Sequence, residues 1–118
     1  MHNSASITLT FKESAATSPG GLLESVSDLL ICIAEKVSVN DVVPGHIKAV
    51  VTGKEGYVSF NCTRPGVVLR HSSIEDEAII PTNALIHVEV ILIGFSKEII
   101  KTYLADCLNE RSHLLENR

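Results

Sequence analysis

The chain has no tryptophan, one methionine and few aromatic residues, three Phe and two Tyr in 118 residues. Any core must therefore be aliphatic, and at 45% hydrophobic residues the supply is ample without disulfide or metal staples. Basic clusters are missing as well. Lys and Arg are scattered singly, the formal net charge is -4 and the pI is about 5.7. A field of that sign repels nucleic acid and anionic lipid, so neither is an expected partner. Long apolar runs are absent. The longest, Val88 to Phe95, is too short to cross a bilayer and contains Glu89. The first residues, Met1 to Ser6, carry neither a basic start nor an apolar stretch, and no signal peptide is expected there. Three cysteines, Cys32, Cys62 and Cys107, come without paired spacing. They are expected to be free thiols, packed as small hydrophobes in a reducing, cytoplasmic setting.

Catalytic motifs are equally scarce. Gly20-Gly21 and the Gly53 to Gly56 stretch do not match a phosphate-cradling loop, since Lys54 follows a strand and does not open a helix. No G-x-S-x-G elbow occurs, and no Cys stands at a recognisable spacing from His and a carboxylate. The expectation is a chain that is not an enzyme and uses no cofactor.

What the sequence does contain is clear periodicity in one domain spanning residues 1–118. Ser6 to Phe11 alternates, with Ile7, Leu9 and Phe11 on one side, as a half-buried strand does. Ser18-Pro19-Gly20-Gly21 then opens a helix in which Leu22, Val26, Leu29, Leu30, Ile33 and Val37 recur every three or four residues, over roughly four turns. Asn40-Asp41 and Pro44-Gly45 end it. His46 to Thr52 and Tyr57 to Thr63 follow as two strands of a hairpin. Closing it on Gly53 to Gly56 sets Thr52 opposite Tyr57. Ile47 then faces Cys62, Ala49 faces Phe60 and Val51 faces Val58, with all six on one apolar side. His46, Lys48 and Val50 lie on the other side, opposite Thr63, Asn61 and Ser59.

Arg64-Pro65-Gly66 reads as a turn and Val67 to Arg70 as a short edge strand. His71 to Ala84, with Glu75-Asp76-Glu77 and Pro81, reads as a solvated loop. Leu85 to Ile93 is a long strand with Ile86, Val88, Val90 and Leu92 inward and His87, Glu89, Ile91 and Ile93 outward. A second helix begins at Ser96, which caps it, with Glu98 in the first turn. Its buried stripe is Ile100, Tyr103, Leu104, Cys107, Leu108 and Arg111. Residues 1–5 and 112–118 are expected to fray. The order β-α-β-β-(β)-β-α predicts an α+β fold, a two-layer α/β sandwich of ferredoxin-like type with both helices on one sheet face.

The helix-free face then holds the candidate sites. His46, His87 and Glu89 share it and are the candidate metal ligands of an alternative reading, a small-molecule or metal-ion binding module, although their spacing matches no metal motif and ordinary polar residues on a solvated sheet are the favoured reading of them. Lys48, Val50, Tyr57, Ile91 and Ile93 form a mixed apolar and cationic surface. Such a surface suits a homodimer or a protein partner, against the alternative of exposed aliphatics scattered by chance.

Two stretches carry a family resemblance. Leu22-Leu23 with the helix after them leads into His46-Ile47-Lys48-Ala49-Val50-Val51. Later, Val90-Ile91-Leu92-Ile93-Gly94-Phe95 precedes Ile99, Leu104 and Ala105-Asp106-Cys107-Leu108. Together, over roughly residues 5–110, they resemble the C-terminal domain of CobW-type proteins, GTPases linked to cobalamin biosynthesis and metal homeostasis. In that family an arginine stands where this chain has His46 and a glycine where it has Ala49, which leaves Lys48 as the matching polar position. No counterpart of the nucleotide-binding domain or its Cys-rich metal motif lies in these residues. The resemblance thus implies no GTPase activity. It implies an accessory or protein-protein interaction role beside a separate GTPase, metal carrier or corrinoid protein.

Overall fold

A computed structural model describes residues 2–10, 19–53, 56–73 and 85–110. Seven elements occur in the order β1 (His2–Thr10), α1 (Pro19–Val37), β2 (Gly45–Thr52), β3 (Tyr57–Arg64), β4 (Val67–Ser72), β5 (Leu85–Ile93) and α2 (Lys97–Glu110). The five strands make one sheet, ordered β1-β5-β2-β3-β4, in which every neighbouring pair is antiparallel. The protein is therefore α+β. Because β1 and β2 both run against β5, they are parallel to each other with β5 between them.

The hairpin register is the anticipated one. Ile47 pairs with Cys62, Lys48 with Asn61, Ala49 with Phe60, Val50 with Ser59, Val51 with Val58 and Thr52 with Tyr57. Burial follows it residue by residue. Ile47, Ala49, Val51, Val58, Phe60 and Cys62 are buried, as are Ile86, Val88, Val90 and Leu92 from β5. The side-chain period of two leaves a single arrangement that buries both sets on one face.

Helix α1 packs on β2, β3 and β4, α2 packs on β1, and the helices touch each other. Leu22, Val26, Leu29, Leu30, Ile33 and Val37 from α1 join Ile100, Leu104, Cys107 and Leu108 from α2 in the same core as the inward sheet residues. Pro19 opens α1, where a missing N–H costs nothing. Its exit is a tight reversal: Asn40 and Asp41 both take left-handed backbone, φ 52° and 65°, while Val39 and Val42 exchange N–H···O bonds of 2.9 and 3.1 Å. Short polar side chains tolerate that conformation best. At α2 the Ser96 hydroxyl accepts a bond from the Ile99 N–H at 3.2 Å, which is the expected cap.

The structure corrects several expectations. Residues 2–5 belong to β1 and are not frayed: His2 pairs with Ile93, Ala5 pairs with Val90 and is buried, and Asn3 donates its amide N–H to the Phe95 carbonyl at 2.9 Å. The polar stretch His2 to Ser6 lacks an apolar alternation, so only pairing with β5 reveals the strand. His71 and Ser72 extend β4 instead of opening a loop, because Ser59 and Val58 offer them partners. Helix α1 runs 19 residues, about five turns and one more than its apolar stripe suggested. Phe11, Arg111 and the positions assigned to the acidic loop and the fraying tail, 74–84 and 112–118, lie outside the described residues. No helix among the described residues is long and apolar enough to cross a membrane.

Candidate functional site

Among the described residues, two regions gather chemistry-bearing side chains: the sheet face without helices, and the seam between α1 and α2.

On the open face, antiparallel pairing lines residues up in rows across the strands. One row runs Glu89, Lys48, Asn61, Leu69; the next runs His87, Val50, Ser59, His71. His46 pairs with Ile91, one row to the other side of Lys48. Lys48 therefore sits near the middle of the face, exposed, with half-buried Val50 and Ile91 on either side of it along the strand direction. Ile93, 57% exposed, and Tyr57, 40% exposed, occupy opposite ends. Tyr57 stacks obliquely on His71, ring centroids 6.3 Å apart. His71, Leu69, Ser59 and Asn61 thus complete the face. The first two were not legible beforehand, since the alternation of Val67 to Ser72 is blurred by its polar residues. Asn61 keeps its side-chain carbonyl oxygen out of solvent and without a hydrogen-bond partner.

This register separates the three residues proposed as metal ligands. His46 lies opposite Ile91 and His87 opposite Val50, four positions apart along β5, or about 13 Å at the strand rise. Glu89 lies between them, directly across from Lys48, whose ammonium competes with any cation for that carboxylate. The face does not draw His46, His87 and Glu89 to one ion, and they are not among the ligand sets found in the described residues.

The seam between the helices holds what sequence reasoning missed. Cys32 of α1 and Cys107 of α2 form a disulfide, with Cα atoms 6.0 Å apart and a sequence separation of 75. The expectation of three free thiols is thus corrected. Each Cys sits on the side of its helix that faces the other, and helix packing brings them together. Their placement among apolar residues was anticipated, for both are buried. Glu110 follows Cys107 by one helical turn, and one of its carboxylate oxygens lies 3.9 Å from the Cys32 sulfur and 4.0 Å from the Lys36 ammonium. Lys36 in turn follows Cys32 by one turn of α1. The i, i+3 spacing of Cys107 and Glu110 was legible, and so was the i, i+4 spacing of Cys32 and Lys36; that the two pairs oppose each other was not.

Cys62 is the remaining free thiol, fully buried in β3. Burial pushes its ionisation upward, partly offset by the Arg64 backbone, and its thiol donates to the Arg64 carbonyl at 3.2 Å. A neutral, enclosed thiol is no nucleophile. No family model, curated protein or solved structure matches this chain.

Proposed function

We propose that this chain is a non-enzymatic interaction domain that docks a protein partner on its open sheet face. The observation that carries the reading is the face itself: exposed Lys48 between half-buried Val50 and Ile91, with Tyr57 and Ile93 beyond, and no helix over them among the described residues. Lone exposed aliphatics are ordinary on a protein surface. A charged centre in a field of partly buried aliphatics, on the layer left uncovered, is the composition of a docking surface.

The resemblance to the CobW C-terminal domain suggests the class of partner, a separate CobW-type GTPase, a metal carrier or a corrinoid protein, working in cobalamin or metal metabolism in the cytoplasm. In keeping with it, we read the fold as a ferredoxin-like sandwich: β1, α1 and β2 leave a one-strand gap that β5 fills from the far end of the chain, as in a split β-α-β unit. A second copy of the chain is the other occupant this surface admits.

The test is capture of partners by the tagged chain from its native cytosol, beside a variant carrying Lys48→Glu and Ile91→Glu. The expected outcome is recovery of a GTPase or corrinoid protein by the wild type and binding at least about tenfold weaker by the variant, the effect of disrupting a central contact. Equal recovery by both forms removes this face as the docking site. Sedimentation over a range of concentrations distinguishes a homodimer, which the same two substitutions should dissociate.

A further inference from the structure

We propose that Cys32, Cys107 and Glu110, once the disulfide is opened, form a binding site for a thiophilic divalent cation of the zinc class. The two sulfurs and a Glu110 carboxylate oxygen all lie within 4.8 Å of one another. Tetrahedral zinc takes sulfur at about 2.3 Å and carboxylate oxygen at about 2.0–2.2 Å, which spaces neighbouring ligand atoms by roughly 3.5–3.8 Å. Parting the two sulfurs and drawing in the carboxylate oxygen to that spacing is the adjustment the three side chains must supply once the disulfide opens.

The carboxylate argues for a cation and against a thiol catalyst. A thiolate nucleophile needs an electropositive setting, whereas here the Cys32 sulfur lies 3.9 Å from the Glu110 carboxylate. A bound divalent ion would use that carboxylate as a third ligand beside the two sulfurs. Burial fits the same geometry. Cys32 and Cys107 are enclosed by the core while Glu110 is exposed, so an ion enters from the solvent side and keeps a fourth position for water. Lys36 reaches Glu110 only at 4.0 Å, with both side chains substantially exposed, a contact too weak to hold the carboxylate against a metal.

The chemistry has two balanced steps. Two equivalents of a low-molecular-weight thiol reduce the Cys32–Cys107 bond by exchange, giving two protein thiols and one small-molecule disulfide. Cation binding then releases the two thiol protons to solvent. The disulfide and the metal are alternative ways of joining α1 to α2, one for oxidising and one for reducing conditions.

The full-length chain tests this directly. It is reduced, freed of reductant without air, and titrated with cadmium while the ultraviolet thiolate-to-metal charge-transfer band is followed. The reduced wild type should gain the band at one ion per chain and melt at a higher temperature with zinc than without it. The oxidised wild type should do neither. Glu110→Gln, an exposed substitution that leaves the core intact, should bind about tenfold or more weakly, Cys107→Ser should lose the band, and Cys62→Ser should keep it. No band in the reduced wild type overturns the proposal, as does a band that survives Cys107→Ser or disappears with Cys62→Ser. Should Cys107→Ser fail to fold, equal cadmium affinity in Glu110→Gln and wild type overturns the three-ligand site.

Discussion

Single residues decide more in this fold than their size suggests, and Gly45 is the clearest case. It begins β2 with φ at 150°, a value side-chain-bearing residues rarely adopt. A Cβ there would collide with the Ile91 carbonyl of β5. The crossing is tight because Ile93 donates to the Pro44 carbonyl at 2.8 Å and pulls the two strands together at that point. Gly45→Ala should therefore lower stability by about 2–4 kcal/mol, the sum of backbone strain and overpacking, read as a lower urea midpoint. Cys62 acts through protonation. Its thiol ionises above the ordinary value of 9.0, chiefly through burial. The native state thus holds a proton that the unfolded chain releases above about pH 9. The stability that Cys62 lends is complete below that pH and declines as pH climbs toward the native value. Denaturant midpoints between pH 8 and pH 10 should fall more steeply for the wild type than for Cys62→Ala, and Cys62 should resist alkylating reagents in the folded protein at neutral pH. Equal alkaline slopes would remove the thiol from this account.

At the level of elements, the link between α1 and α2 matters most. The helices cover the sheet side by side, α1 toward β2, β3 and β4 and α2 toward β1. The Cys32–Cys107 bond joins them across 75 residues of sequence. Closing a loop of that length restricts the unfolded chain by an amount worth about 4 kcal/mol in the chain-entropy description. Reduction should lower the urea midpoint accordingly, and the drop should vanish in Cys32→Ala, which has no bond to lose. The hairpin of β2 and β3 needs no such link. Its six inward residues are held by an alternation that a one-residue slip would turn outward, and Phe60, the largest of them, is also among the largest of the fully buried side chains.

On the scale of the whole molecule, the division of labour is between two faces of one sheet. Helices seal one, and the other presents Lys48 in a row with Glu89, Asn61 and Leu69. The partner-capture experiment with Lys48→Glu and Ile91→Glu addresses the second face, the cadmium titration addresses the seam above the first, and neither outcome dictates the other. Much of this plan was legible in the order of residues. Strand and helix periods are local properties, so Leu85 to Ile93, both amphipathic helices, the Ser96 cap and the β2–β3 register could be read without coordinates. The outward position of Lys48, Val50, Ile91 and Ile93 followed from the same alternation. Long-range placement could not be read that way. The polar strand His2 to Ser6 exists because β5 has a free edge to offer it, and β5 lies between β1 and β2 although it comes last of the strands. His46 and His87 share a face yet stand four positions apart along β5, whereas Cys32 and Cys107 are distant in sequence yet bonded. Alternation tells each side chain which way to point, since that depends on neighbours one or two bonds along the backbone. Which distant side chains meet depends on how whole elements pack, and only the folded chain resolves it.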